Sequence, residues 1–163
     1  MTVAIVSDSH IPSRAAEIPD PFRERIRAAD QVLHAGDFDS EGAIAEMRDL
    51  AADLTAVAGN MDPRVGLPRV ATRKLRGVEF VLTHGSGPKR GYRNRVANAV
   101  REEAASADPV GVSGHTHEVM DTVHNGLRLL NPGSVTGASP ATRATMMTAE
   151  VADGEVDVTL HEL

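Results

Sequence analysis

The chain contains no cysteine and no tryptophan, and only one tyrosine and three phenylalanines. Without cysteine, disulfides and thiolate metal sites are both excluded, which leaves His, Asp and Asn as the available metal ligands. Aromatic residues are 2% of the chain, and their scarcity says little about chemistry. No apolar run approaches the length needed to cross a bilayer, and the chain opens on Thr2-Val3-Ala4-Ile5-Val6 with neither a basic n-region nor an apolar h-region. The expectation is a soluble, cytoplasmic protein with no membrane partner. Lysine is scarce too, and the cations are almost all arginine. Lysine stands only at 74 and 89, and the net charge of -6 argues against nucleic acid as a partner, because phosphate backbones are held by clustered Lys and Arg. A small phosphate-bearing ligand stays compatible with that charge.

What is present fits one domain over residues 1–163, with no repeat, low-complexity stretch or linker. A chain of this size buries about 70% of its unfolded surface, so one core is enough. Val3 to Val6 is an unbroken apolar run, the pattern of a strand covered on both faces. Asp20-Pro21 reads as an N-cap followed by proline at the first helical position, opening a helix to about Ala29. Gln31–Ala35 is a second strand. Ser40 can cap a helix in which Ile44, Met47 and Ala51 recur at helical spacing, and Leu54–Ala58 is a third strand. This alternation predicts right-handed crossovers and a parallel sheet.

The second half reads as paired strands at Val70–Leu75 and Val78–Thr83, then a helix from about Tyr92 to Ala107 with Val96, Ala97, Val100 and Ala104 as its apolar stripe. A short strand at Pro109–Ser113 follows. Strands at 119–123, 127–130, 142–151 and 156–160 are separated by Asn125-Gly126, Asn131-Pro132-Gly133 and Asp153-Gly154, and the Asn-Gly and Asp-Gly pairs are hairpin signals. The whole predicts two packed sheets with helices outside. Met146-Met147 reads as core filler.

Chemistry-bearing residues recur at the carboxyl ends of these strands: Asp8-Ser9-His10, Gly36-Asp37, Gly59-Asn60, His84-Gly85 and Gly114-His115-Thr116-His117. Oxygen and nitrogen ligands of this kind suit manganese, iron, zinc and similar divalent ions. Seven groups exceed the needs of one ion, and two ions about 3.5–4 Å apart sharing a carboxylate would use them all. Glycine before Asp37, Asn60 and His115 lets the backbone turn sharply against an occupied site. Two divalent ions, two aspartates and a bridging hydroxide leave a formal surplus of about one positive charge, which favours a phosphate ester.

In order and spacing, Asp8-x-His10, Gly36-Asp37, Gly59-Asn60, His84-Gly85 and Gly114-His115-x-His117 resemble the calcineurin-like metallophosphoesterase superfamily over nearly the whole chain. The short length and the Gly59-Asn60-x-Asp62 variant look like its small bacterial and archaeal phosphodiesterase branch, which shares the fold of the retromer scaffold subunit. The resemblance implies an α/β fold, a four-layer α/β/β/α sandwich of two mixed sheets flanked by helices. It implies a hydrolase of small phosphate esters using two divalent ions, manganese first and nickel, cobalt, zinc or iron as alternatives. It puts Asp8, His10, Asp37 and His117 on one ion and Asp37, Asn60, His84 and His115 on the other, with Asp37 bridging. Asn131-Pro132-Gly133-Ser134 would shape the cleft. The other function the fold allows is a protein-binding scaffold with vestigial catalysis.

Two positions depart from that pattern. Many superfamily members carry a proton-donating histidine directly after the motif asparagine, where this chain has Met61, and some small members carry one where it has Ser86. Activated aryl diesters should therefore outpace alkyl phosphates, because a good leaving group needs little protonation. Asp62, His34 or a water at the metal remain as donors, and with Asp37 and Asn60 the expected catalytic set includes Asp62. His34, three residues before Asp37, reads better as a packed or supporting histidine than as a ligand. His124 and His161 read as solvated, and Lys89, Arg90 and Arg93 as a surface charge cluster. Specificity should rest on loops 11–19, 61–68 and 86–92. A homodimer is the commonest assembly, although no stretch marks an interface.

Overall fold

Strands and helices alternate in the first half of the chain and strands dominate the second; the N-terminal strands and the last two strands form one five-stranded sheet, and the strands between them form the other. The computed structural model describes residues 1–64 and 66–163; Val65, in the loop 61–68, lies outside the described residues. The elements are β1 (Thr2–Val6), α1 (Asp20–Ala28), β2 (Gln31–His34), α2 (Glu41–Leu50), β3 (Leu54–Ala56), β4 (Val70–Leu75), β5 (Val78–Thr83), α3 (Tyr92–Glu103), β6 (Val110–Val112), β7 (Met120–His124), β8 (Leu127–Asn131), β9 (Thr145–Ala152) and β10 (Glu155–Glu162). One sheet has the order β10-β9-β1-β2-β3, the other β4-β5-β6-β8-β7. Both are mixed: β1-β2-β3 and β5-β6-β8 run parallel, and the remaining pairs, β10-β9, β9-β1, β4-β5 and β8-β7, are antiparallel.

The layering follows from which face each residue presents. Along β1, Val3 and Ile5 enter the core between the sheets with Leu33, Phe80, Leu82, Val112 and Leu130. Ala4 and Val6 point the other way, into a second core with Phe22 and Ile26 of α1 and Ile44 and Met47 of α2. This two-residue alternation is why a strand covered on both faces reads as continuous apolar sequence. A third core sits under α3, where Tyr92, Val96 and Val100 pack on Val81 and Leu129. Helices therefore flank two face-to-face sheets, the four-layer α/β/β/α arrangement expected from sequence.

Several boundaries moved for identifiable reasons. Pro19 rather than Asp20 occupies the N-cap of α1, because the Pro19 carbonyl already accepts the Phe22 and Arg23 N–H groups; Asp20 becomes the first helical residue, a favourable place for negative charge. Ser40 does cap α2, accepting the Ala43 N–H at 3.1 Å. Helix α3 stops at Glu103 instead of Ala107. There the Glu79 carboxylate accepts the Ala105 and Ser106 N–H groups and turns the chain away. β3 ends at Ala56 because the Ala58 N–H is taken by the Pro68 carbonyl. The hairpin turns have positive φ at both central residues, 50° and 77° for Asn125-Gly126 and 50° and 80° for Asp153-Gly154, the twist that fits a two-residue loop.

Candidate metal centre

Because β1, β2 and β3 run parallel, the residues that leave their carboxyl ends gather on one edge of that sheet, and β5 and β6 do the same in the other. Asp8 and His10 follow β1, Asp37 follows β2, Asn60 follows β3, His84 follows β5, and His115 and His117 follow β6. The seven candidate ligands meet where the two edges face each other. Asp8, His10 and His117 form one cluster and Asp37, His84 and His115 another, each with its ligand atoms within 4.8 Å of one another. Asp37 Oδ2 touches both, at 3.2 Å from His84 Nε2 and 3.6 Å from His10 Nε2. Asn60, exposed at the mouth, places Oδ1 3.1 Å from His115 Nδ1.

The backbone is forced at this edge. Asp8, His10, Asp37, His115 and His117 all have left-handed φ, between 47° and 73°, and so does Asp39 at 79°. Such conformations cost about 1 kcal/mol or more each in non-glycine residues and persist only where surrounding structure imposes them. Asp62 supplies part of that restraint. One carboxylate oxygen accepts the Asp37 and Gly59 N–H groups at 2.8 and 2.7 Å, and the other accepts those of Phe38 and Asp39 at 2.6 and 3.0 Å. Asn131 supplies another, donating from Nδ2 to the Gly114 carbonyl and Thr116 Oγ1, while the Tyr92 hydroxyl also donates to the Gly114 carbonyl. Ser134 and Thr136 donate to the Asp8 and Ser9 carbonyls, tying the segment after β8 to the loop after β1. The glycines are part of the fit: a Cβ on Gly59 would stand 2.0 Å from Asp37 Oδ1, and one on Gly114 2.0 Å from Ser7 Oγ.

The protonation pattern is that of a cation site. His10 Nδ1 donates to the Asp39 carboxylate at 2.9 Å and His117 Nδ1 to the Ala138 carbonyl at 2.8 Å, which leaves lone pairs on both Nε2 atoms. Those two nitrogens face each other at 3.1 Å. Two neutral acceptors repel at that distance, whereas nitrogens about 2.0–2.1 Å from a shared ion lie about 2.9–3.4 Å apart at ordinary coordination angles. His84 repeats the pattern, donating from Nδ1 to the Ala35 carbonyl at 2.7 Å and leaving Nε2 buried with no hydrogen-bond partner. Asp8 Oδ1 is buried and unpartnered as well. Burial pushes the Asp8 carboxyl up, but the imidazoles of His10, His117 and His84 around it outweigh this and hold the group well below the usual carboxylate range. Burial likewise lowers His10 and His84, yet the neighbouring carboxylates, Asp8 and Asp39 for the first and Asp37 for the second, raise both, so that without a cation a proton takes its place. Orphaned acceptors, opposed lone pairs and O/N donors fit a divalent ion.

A family model for the calcineurin-like phosphoesterase superfamily domain matches residues 1–154. The chain belongs to the calcineurin-like phosphoesterase superfamily. It is 33% identical over 161 residues to a probable metallophosphoesterase of Methanothermobacter thermautotrophicus, covering 96% of this chain and 91% of that one. It is 31% identical over 137 residues to a probable metallophosphoesterase of Methanocaldococcus jannaschii, covering 83% and 69%. Among solved structures it is similar to Entamoeba histolytica Vps29 complexed with zinc, with a TM-score of 0.81 and 28% identity over 100% of this chain and 98% of that one.

The remaining predicted residues of this phosphoesterase sort clearly. His34 is fully buried, stacked on Phe38 at 3.6 Å, donates from Nε2 to Ser9 and accepts the Gly36 N–H on Nδ1; burial pulls it down to about 3, so it is neutral. His124 and His161 lie elsewhere and are half-buried rather than solvated, on Asn94 and Thr148 respectively. Lys89 is paired with Glu118, and Arg90 and Arg93 are exposed. Met146 and Met147 are core residues. Sequence reasoning missed Asp39, whose carboxylate orients His10, and the Tyr92–Asn131 pair behind Gly114. The Asp37-x-Asp39 spacing was a weak signal for the first; the partners of Tyr92 lie 22 and 39 residues away and left none.

Proposed function

We propose that the chain is a metal-dependent phosphodiesterase that hydrolyses a small phosphate ester on a two-ion centre. The observation that carries this reading is the pair of ligand clusters joined at Asp37, each containing a buried acceptor without a hydrogen bond. Asp8, His10 and His117 with Asp37 would hold one ion, and His84, His115 and Asn60 with Asp37 the other. When bound, such a pair supplies hydroxide near neutral pH and holds the phosphoryl oxygens for in-line attack. The chain's own work is orientation. Asp39, Ala35 and Ala138 fix the rings of His10, His84 and His117, and the Met61 N–H donates to Asp37 Oδ1 at 2.8 Å.

Proton supply to the leaving group is where the residues are sparse. Met61 and Ser86 are exposed and do not titrate, His34 is closed inside the fold, and both Asp62 oxygens are engaged by backbone N–H groups. Asp62 is therefore read as a positioning residue, and activated aryl diesters are the better substrates. Zinc, named with the Entamoeba protein, belongs beside manganese, nickel and cobalt as a metal to test. In a metal-reconstituted assay with aryl mono- and diesters, turnover is expected, and Asp37→Ala should lose turnover and metal binding together. Absence of turnover with all four metals would overturn the reading. It would favour the scaffold function, which the similarity to Vps29 over the full chain supports.

A further inference from the structure

Among the described residues, candidate ligands line several openings in the surface, and their charges differ. The one beside His117, about 370 Å³, carries Arg143, which is paired with Glu162 at 3.0 Å. Another, about 570 Å³, is lined by Asn60, Asp62, Ser86, Arg64 and Arg69. It continues past Ser86 and Arg69 into a smaller recess of about 240 Å³ that reaches His84. Among the described residues, neither Arg64 nor Arg69 has a carboxylate partner or a hydrogen-bonded acceptor. The one carboxylate among the described residues of the cleft, Asp62, faces backbone N–H groups with both oxygens, and the two guanidiniums outnumber it.

We infer that this cleft is a subsite for a second anionic group, so that the substrate is a phosphate ester whose organic part carries a further phosphate or carboxylate. The inference rests on the phosphodiesterase reading above and narrows it. Two divalent ions, one hydroxide and the carboxylates of Asp8 and Asp37 would leave a surplus of about one positive charge, which a single phosphodiester anion satisfies. Arg64 and Arg69 outnumber Asp62 in the same wall and leave a further positive charge beyond what that anion neutralises. A guanidinium offers five donors in a planar fork suited to the oxyanions of carboxylate and phosphate. Asn60 joins the two regions, with its amide at the metal cluster and its place in the wall of the cleft. Ser86, one of the positions where a histidine is missing, leaves a small hydroxyl between the centre and Arg69.

The test compares two diesters with the same 4-nitrophenolate leaving group, 4-nitrophenyl 2-carboxyethyl phosphate and 4-nitrophenyl propyl phosphate, on metal-loaded protein. The carboxylated ester is expected to have about tenfold higher kcat/KM, mainly through KM, and the advantage should shrink as salt rises. In the Arg64→Gln/Arg69→Gln variant the ratio of the two esters should fall to about one. A second arm measures binding by calorimetry, using 3-phosphonopropionate and propylphosphonate on both proteins. A carboxylate-dependent gain in affinity that the double variant loses is expected. Turnover of both esters without preference, or a preference that survives in the double variant, overturns the subsite and leaves the phosphodiesterase reading standing. No turnover of either ester, with carboxylate-dependent binding lost in the double variant, overturns that reading and upholds the anion site. Absence of both signals overturns both.

Discussion

Replacing Asp62 by asparagine distinguishes a residue that holds the site together from one that donates a proton. In the native chain its two oxygens accept four backbone N–H groups, from Asp37, Phe38, Asp39 and Gly59, at 2.6 to 3.0 Å. An amide keeps one oxygen and turns the other into an NH2, which must face two donors. Two charge-assisted hydrogen bonds are then lost. At about 1.5 kcal/mol each, in a partly buried setting, the cost is roughly 3 kcal/mol. For a chain of this length 1 kcal/mol shifts Tm by about 2–4 °C, so Asp62→Asn should lower the Tm of the metal-free protein by roughly 6–12 °C. Calorimetry without metal checks this and keeps altered metal binding out of the measurement. Residual turnover, measured over a series of aryl diesters, should fall by a similar factor for good and poor leaving groups. An unchanged Tm, together with a loss that deepens as the leaving group becomes more basic, would show that Asp62 is the general acid and would refute its positioning role.

The metal-free protein should be most stable near pH 6.5. His10 and His84 are raised above their ordinary 6.5, so their ion pairs stabilise fully below that pH and are lost as pH rises through the raised values. His34 is lowered to about 3 by burial, so unfolding takes up a proton and stability falls as pH drops from 6.5 toward 3. Below the ordinary 3.8 of aspartate the Asp8 contribution goes as well. Divalent metal, which binds deprotonated imidazole, should abolish the alkaline decline; Tm measured against pH with and without manganese checks this, and a metal-free curve that rises steadily to pH 8.5 would contradict it. Gly59→Ala should destroy metal binding in a manganese titration, because the new Cβ would stand 2.0 Å from Asp37 Oδ1. Its control is Gly42→Ala inside α2, where the nearest atom is 4.0 Å away and stability should rise by about 0.5–1 kcal/mol.

Much of the fold was legible because its signals are local. An apolar run covered on both faces, Ser40 before a helical stripe and Asn125-Gly126 between strands are patterns that a few neighbouring residues impose on themselves. The errors came where a distant group intervened. Glu79 accepts the Ala105 and Ser106 N–H groups across 26 residues or more and ends α3 early, and Pro68 takes the Ala58 N–H and shortens β3. The candidate site divides in the same way. Its donor types and their places at strand ends are visible in Asp8-x-His10, Gly36-Asp37, Gly59-Asn60, His84-Gly85 and Gly114-His115-x-His117. Asp39 could not be told from an ordinary loop aspartate, and the four backbone N–H groups that Asp62 accepts left no local signal.

By itself, then, the sequence determined which chemistry was available: with cysteine absent, oxygen and imidazole donors remain, and parallel strand order carries them to one edge. Tertiary structure alone decided how those donors face one another. His10 and His117 are 107 residues apart, and their opposed Nε2 atoms at 3.1 Å exist only because Asp39 and Ala138 take the other ring nitrogens. Which lone pairs point inward, and which carboxylates are spent on backbone N–H groups, depends on contacts that no local pattern encodes.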